Sequence, residues 1–394
     1  MRRSVYAWLT LSTMRGAVSP VKPLNLTALY GPGISDTAQI LDPSEPGFMD
    51  ITPRWTQYRP PTYYGAIIPA TEADIQHIVR VSVEHDIPFL ATGGGHGLSA
   101  TLGQFSGITI ELSKFNTVEL DKETSQITLG DDGVGNVPCI GAVGATLGGR
   151  LGIGQGVYGL GLDPLLSVRL ITATGDIVVA SRTENQDQFW AIRAAGASFG
   201  IVTSAIFQLY DAVNSGIVAI DMFTYSPEQN QSVWEALKSY DENIHNELSF
   251  NIAAIASINA EAEYYRPRAE AERLLQPFLE IGPISVQSTA IPWTQIYDTT
   301  FTAFFNELYA LWEKEERYYG EWIIARSPTR VMRLVSDEET VFPRRHAITH
   351  LLFGNFYSDR PEAWYGSANL KRLNLLKSKW DPDGVFNNYN PVLL

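Results

Sequence analysis

The chain has 394 residues, with 43 acidic and 29 basic side chains and a formal net charge of −14 at neutral pH. That length suggests about two domains, and 45% hydrophobic against 18% charged residues excludes global disorder. The negative balance argues against a nucleic-acid partner, which needs a basic face, and a single cysteine, Cys139, excludes a disulfide framework, a zinc knuckle or an iron–sulfur cluster.

The N-terminus opens Met1-Arg2-Arg3 before a mildly apolar run, Val5–Met14. Thr10, Ser12 and Thr13 dilute that run and Ala17-Val18-Ser19 is a weak cleavage site, so a secretory leader is only outlined and localisation stays open. Asn25-Leu26-Thr27 and Asn230-Gln231-Ser232 are glycan acceptors only if the chain is secreted. No apolar stretch approaches the roughly 18 residues that a membrane span requires. Tyr64–Pro69 reads as a short strand. Thr71, with Asp74 in the first turn, then reads as the N-cap of a helix carrying Ile75, Ile78, Val79 and Val83 at helical spacing and stopped at Asp86-Ile87-Pro88. Phe89-Leu90-Ala91, Ile108–Leu112 and Ser125–Leu129 read as further strands. Leu166–Thr172 and Asp176–Ala180 flank Ala173-Thr174-Gly175 as a hairpin. From about Ser215 the glycine density drops and amphipathic stretches appear at Gln231–Tyr240 and Arg266–Leu279, which marks a candidate domain boundary.

Three small-residue segments carry the chemical signal. Ala91-Thr92-Gly93-Gly94-Gly95-His96-Gly97 follows a strand and is nearly bare of Cβ atoms, so several N–H groups can converge on a pyrophosphate. A mobile turn with an incidental histidine would read the same way. Pro138–Gly149, continuing to Gly161, admits a ligand's ring or chain against backbone, or else makes a tightly packed sheet corner. Glu184–Thr203 reads as a short helix, a small-residue turn and a strand. Neither glycine loop has the strand–GxGxxG–helix unit or the Walker lysine, so a nucleotide here needs another architecture.

Together with the closing segments Tyr365–Leu373 and Lys379–Pro391, these stretches resemble the vanillyl-alcohol-oxidase-type (PCMH-type) FAD-linked oxidoreductases. The nearest likeness is the berberine-bridge-enzyme-like branch, of the fungal secondary-metabolism type. The resemblance is close over about Trp55–Tyr210 and the last 30 or so residues. It implies an α+β fold: a two-part PCMH-type FAD-binding domain plus an α+β substrate domain with an antiparallel sheet. The implied division is an extension at 1–54, the FAD domain at 55–213, an abbreviated substrate domain at 214–364 and a returning segment at 365–394.

It also implies FAD joined covalently through His96. Gly93, Gly94, Gly95 and Gly97 match the pyrophosphate loop; Gly141, Gly144, Thr146, Gly148 and Gly149 match the loop along the flavin; Gly200, Ile201 and Val202 match a turn touching the ring or adenine side. Asn388 or Asn390 reaches the ring from the C-terminal segment. The family's second, cysteine tether falls at Val137, with Cys139 two residues later, so a single tether is expected and carbohydrate substrates become less attractive. The implied activity is oxidation of a small organic substrate, with dioxygen (O2) as electron acceptor. A tyrosine is the expected type of base, with Tyr357, Tyr365 and Tyr389 as candidates.

The chain departs from the family pattern at the short 130–137 junction, around Ile258–Glu263 and between Phe353 and Tyr365. These departures keep two other readings open, a redox-neutral flavin-dependent cyclase and an inactive, truncated member. His346 and His350 beside Arg344-Arg345 would make a metal pair only on a helix and with a third ligand; the resemblance puts them on a strand, and no metal is expected. Glu313–Arg317 reads as a solvated helical face and Trp312, Tyr318, Tyr319 and Trp322 as core aromatics.

Overall fold

The computed structural model describes residues 25–55, 59–97, 99–130, 140–152, 154–254, 257–296, 322–326, 328–336, 338–342, 345, 347, 349–353, 361 and 365–392. Val137, Cys139, Tyr357, His346, the Glu313–Arg317 run and its neighbours Trp312, Tyr318 and Tyr319 lie outside these residues. Among the described residues three sheets organise the chain. The first has strand order β1 (Gln39–Leu41), β2 (Thr62–Ile68), β4 (Ser106–Glu111), β3 (Phe89–Thr92), with β4 parallel to both β2 and β3. Residues that read only as an entry segment join it: β1 pairs with β2, and α1 (Leu26–Tyr30) buries Leu26 and Tyr30 in its core.

Helix α3 (Glu72–Glu84) begins where the sequence places it; α2 is the short turn Phe48–Ile51. Thr71 Oγ1 accepts from the Asp74 N–H at 3.2 Å and Asp74 Oδ2 accepts from the Thr71 N–H at 2.8 Å, a reciprocal cap that satisfies two otherwise orphaned donors. The buried stripe differs by one position from the expected one. Ile75, Ile78 and Val79 are inside, but Val83 is exposed and Ser82 takes the inward place, its hydroxyl 2.9 Å from Tyr30 Oη. Seven residues from Ile75 complete two helical turns, whereas eight overshoot the stripe.

The second sheet is antiparallel, in the order β5 (Val118–Asp121), β6 (Gln126–Gly130), β9 (Ile201–Gln208), β7 (Leu165–Ile171), β8 (Ile177–Ser181). The predicted hairpin joins β7 to β8, with Gly175 at φ +74°, the left-handed geometry its turn requires. Helix α3 also packs on this sheet, where Arg169 holds Glu72 through Nε at 2.7 Å and Nη2 at 2.8 Å. The sheet's other face forms a core with α4 (Ala142–Leu147), α6 (Gln186–Ala195) and α10 (Ser367–Trp380); α5 (Gln155–Tyr158) lies just before β7.

The third sheet has six antiparallel strands, β13 (Ser285–Pro292), β10 (Ile217–Tyr225), β12 (Ile258–Tyr264), β11 (Leu248–Ala254), β14 (Trp322–Arg326) and β15 (Thr349–Phe353). One face buries aromatic and aliphatic side chains under α7 (Asn230–Lys238), α8 (Arg268–Leu274) and α9 (Gln276–Leu279), at the two predicted amphipathic stretches. Ile258–Glu263, expected to be cut short, forms most of β12 and is paired on both sides. His350 lies on β15, which removes the helical spacing that a metal pair with His346 would need. Among the described residues there is no group of three or more potential metal ligands, and no helix is long and apolar enough to cross a membrane.

Candidate active site

The first glycine loop leaves β3 and turns at Gly95, whose φ is +71°. A Cβ there would lie 2.7 Å from the Pro53 carbonyl oxygen, so both dihedral and space demand glycine. Residues 53–55 brace the loop: Arg54 Nη2 donates to the Gly97 carbonyl, and the Trp55 indole stacks on His96 with ring centroids 6.1 Å apart. Within the loop, His96 Nδ1 lies 2.6 Å from the Gly94 carbonyl oxygen. A carbonyl only accepts, so Nδ1 carries the proton and Nε2 keeps its lone pair. That Nε2 is buried, with no hydrogen-bond partner among the described residues. Burial holds the imidazole pKa below its ordinary value, against the opposing bond to Gly94 and with help from the Arg54 charge. His96 is a neutral imidazole aimed with one free nitrogen.

A continuous line of contacts joins this loop to the other two glycine segments through the C-terminus. The Tyr389 ring lies 3.0 Å from where a Gly97 Cβ would be. Asn390 N–H donates to Thr101 Oγ1 at 3.2 Å, and the Asn390 carbonyl accepts from Tyr365 Oη at 2.8 Å and Ser198 Oγ at 3.3 Å. Ser198 closes the short turn 196–198, where a Cβ on Gly196 would meet Leu147 of α4 at 2.8 Å. The first loop, the C-terminal segment, the third-segment turn and α4 therefore form one connected wall.

The predicted site residues divide by what they do in that wall. Gly93, Gly94, Gly95, His96 and Gly97 form the loop itself. Gly141 is the N-cap of α4, Gly144 has nothing among the described residues within 4 Å of a Cβ position, Gly148 follows the helix, and Gly149 turns at φ +110° against Phe342. An open glycine face on a short helix is the cradle a flat ligand fits. Thr146 is buried and its hydroxyl donates to its own helix at Ala142 O, 2.8 Å, so it serves the fold.

Gly200, Ile201 and Val202 sit in packed surroundings. A Cβ on Gly200 would lie 2.7 Å from the Ile171 carbonyl oxygen, and Ile201 and Val202 point into separate hydrophobic cores, because β9 is the central strand of its sheet. Asn388 Nδ2 donates to Phe89 O at 2.9 Å, whereas Asn390 Oδ1 is buried and accepts no hydrogen bond among the described residues. Of the tyrosines, Tyr365 has its hydroxyl committed to Asn390 O, and burial pushes its pKa up. Tyr389 is likewise raised by burial, with Arg54 opposing. Neither is poised to lose a proton near neutral pH.

Arg54 and Lys377 carry no glycine or motif signal in the sequence, while Trp55, at the edge of the resemblance, and Asp381, inside the closing motif, have no role assigned to them by it. Lys377 Nζ donates to Ser198 O at 2.6 Å and to Phe386 O at 3.1 Å, and pairs with Asp381 Oδ2 at 2.6 Å in a fully buried ion pair. The residues present fit FAD: glycines that no side chain could replace, an open cradle at Gly144, and orphaned polar atoms at His96 Nε2, Asn387 Oδ1 and Asn390 Oδ1.

Comparison with known proteins bears on the same regions. The family model described as "FAD binding domain" matches residues 64–131, and the one described as "Berberine and berberine like" matches 337–392. The FAD-linked oxidoreductase azaL of Aspergillus niger is 35% identical, over 89% of this chain and 85% of the relative. The FAD-linked oxidoreductase afoF of Emericella nidulans is 31% identical, over 95% of this chain and 97% of its own. Among solved structures, BBE-like 1 of Physcomitrella patens aligns with TM-score 0.79 at 19% identity, covering 94% of this chain and 99% of that one. A glucooligosaccharide oxidase of Acremonium strictum, described with a 6-S-cysteinyl, 8α-N1-histidyl FAD, aligns with TM-score 0.77 at 19% identity, covering 93% and 98%. Full-length coverage of curated relatives at this identity, on a fold shared with those structures, settles descent: the chain belongs to the berberine-bridge-enzyme-like family of FAD-linked oxidoreductases.

Proposed function

We propose that this FAD-linked oxidoreductase is an oxidase of a small organic molecule, with dioxygen as the electron acceptor and FAD tethered once, through His96. The observation that carries the reading is the imidazole itself: neutral, oriented by the Gly94 carbonyl and presenting a buried, unpartnered Nε2 inside a glycine nest. In this reading residues 55–213 and 365–394 hold the cofactor, 214–364 hold the substrate, and 1–54 are an extension whose described part braces the first sheet.

When bound, FAD supplies hydride acceptance from a substrate C–H bond and onward transfer to dioxygen. The chain's own residues do the rest. Backbone N–H groups of 93–97 hold the pyrophosphate, the open face at Gly144 and Gly148 lets the ring lie against backbone, and Asn390 Oδ1 offers an acceptor from the C-terminal segment. Trp55 over His96 and the buried Tyr389 exclude water from the anchored end. The substrate is a small secondary-metabolite intermediate with a C–H bond beside a hydroxyl or amine.

Purified protein should be yellow, and the colour should stay with the pellet after acid precipitation. His96→Ala should release the flavin to the supernatant; a pellet as yellow as the wild type would sink the tether. Hydrogen peroxide release with a panel of aryl and allyl alcohols tests the oxidase reading, and a product lighter by two hydrogens separates oxidation from redox-neutral cyclisation.

A further inference from the structure

The histidine loop is gripped from outside by Pro53-Arg54-Trp55, which precede β2 and lie ahead of the matched stretch 64–131. On one side of His96, a Cβ on Gly95 would lie 2.7 Å from the Pro53 carbonyl oxygen and 4.0 Å from the Arg54 Cα. The Gly95 carbonyl accepts from the Trp55 N–H at 3.5 Å. On the other side, Arg54 Nη2 donates to the Gly97 carbonyl, across 43 positions of sequence. The Trp55 indole lies against the imidazole between these two points, with the ring planes 26° apart. Tyr389 packs on Gly97 from the C-terminal segment, its ring 3.0 Å from a Cβ there. His96 thus sits between two anchored glycines.

Bracing a carbonyl needs only a donor, and a neutral amide would serve. A guanidinium adds a charge that persists at any working pH. That charge has a consequence here. The Nδ1–H bond to the Gly94 carbonyl favours the imidazolium, because a protonated ring is the stronger donor. Burial opposes it, and His96 is only half-buried. The Arg54 charge works on the side of burial, by like-charge repulsion. The charge also acts at Tyr389, where it favours the phenolate, but burial prevails and that phenol stays neutral. The titratable and charged groups facing the ring are therefore Arg54 from the entry segment and Tyr389 from the C-terminal one. Among the described residues no carboxylate shifts the ring the other way. Arg54 Nε is buried and meets no acceptor among the described residues, so the guanidinium's recorded hydrogen bond is the one to the loop.

We propose that Arg54 is the positioning residue of the flavin tether: its guanidinium fixes the end of the loop that carries His96, and its charge keeps a second positive charge off the imidazole. The inference deepens the tether reading above and rests on it. Tethering joins an imidazole nitrogen to the 8α carbon of the flavin. The methyl group and the imidazole each give up one proton, the flavin takes up both protons and the two electrons of the broken C–H bond, and dioxygen then removes them as hydrogen peroxide. Only the uncharged ring has a lone pair to form that bond, and the ring must be held where the flavin arrives. Arg54 serves both needs through His96.

The test follows the pH dependence of covalent flavin incorporation. Full-length chain freed of cofactor is mixed with FAD, and tethered flavin is read by its fluorescence on a denaturing gel. Wild-type incorporation should fall on the acid side as His96 protonates. Arg54→Gln keeps a donor for the Gly97 carbonyl and loses the charge. It should move that limb to higher pH, slowing acid-side incorporation about tenfold for each pH unit moved. Arg54→Lys keeps the charge, so its limb should stay with the wild type. Arg54→Met loses brace and charge together and should be slower at every pH, by about tenfold or more. An Arg54→Gln limb that coincides with the wild type overturns the proposal even if the rate falls. So does a loss confined to FAD affinity, measured by flavin fluorescence quenching in His96→Ala, which would give Arg54 to the cofactor's diphosphate instead. Where a variant fails to load flavin, carbon-13 NMR of labelled histidine in the cofactor-free chain decides: the His96 titration midpoint should rise in Arg54→Gln and hold in Arg54→Lys. Wild type carrying only dissociable flavin sinks the tether reading, whereas a tethered wild type with an unmoved Arg54→Gln limb removes the role of Arg54 alone.

Discussion

At the residue scale, the site depends on backbone conformations that only glycine adopts and on one imidazole tautomer. Gly95→Ala puts a Cβ at φ +71°, 2.7 Å from the Pro53 carbonyl oxygen. It should cost roughly 1–3 kcal/mol of stability in urea denaturation and loosen flavin retention more than that loss explains. His96 gives a pH signature. Its folded-state pKa lies below the unfolded value, so its contribution to stability is present above about pH 6.5 and is lost as pH falls through the folded pKa. Cofactor-free His96→Asn should therefore show a flatter acid limb of melting temperature than cofactor-free wild type; parallel limbs would mean the imidazole is not held neutral. The glycines and His96 were legible in sequence because left-handed and close-packed backbone restricts residue type. The tautomer was not, because it depends on a carbonyl that reaches the ring only after the loop has turned.

Among the elements, α10 and the segment after it decide whether the C-terminus reaches the cofactor loop. Asp381 Oδ1 and Oδ2 accept the Val385 and Phe386 N–H groups at 2.7 and 2.8 Å while Asp381 pairs with Lys377. The pair is fully buried, so removing one partner strands a charge. Lys377→Met should destabilise by roughly 3–5 kcal/mol in equilibrium unfolding, and proteolysis should then nick the chain after α10 first. A loss below about 1 kcal/mol would show the pair to be hydrated. The element pattern itself was legible where local chemistry decides it: the Thr71 cap, the Gly175 turn and the amphipathic helices α7 and α8. Strand β12 was not. Its Glu-Ala-Glu pattern gives the period of a strand and no indication that both faces are covered.

For the whole molecule, the decisive arrangement is the six-stranded sheet set against the glycine-rich half. At Gly156 the two approach closely, and a side chain there would meet Asn246 backbone and Pro328. Gly156→Val should push the sheet away, keeping the flavin tethered while lowering kcat/KM by at least about tenfold; retained turnover would mean that the contact does not position substrate. The resemblance read from the motifs predicted the family and the mixed α+β fold, and full-length similarity to fungal FAD-linked oxidoreductases carries both. Of the tyrosines expected to supply a base, Tyr365 donates its hydroxyl to the Asn390 carbonyl, and burial raises the pKa of Tyr389.

By itself the sequence determined the glycine loops, the histidine among them, the capped helix and the family, because each rests on local backbone chemistry or on residues in a fixed order. Only the tertiary structure decided which small residues face open space and which fill a core, since Gly144 and Gly200 are alike in sequence and opposite in surroundings. It also decided that the C-terminus locks the cofactor wall and that two glutamates on one strand are buried together. Those outcomes depend on what packs against a residue, and packing joins parts of the chain that lie far apart in sequence.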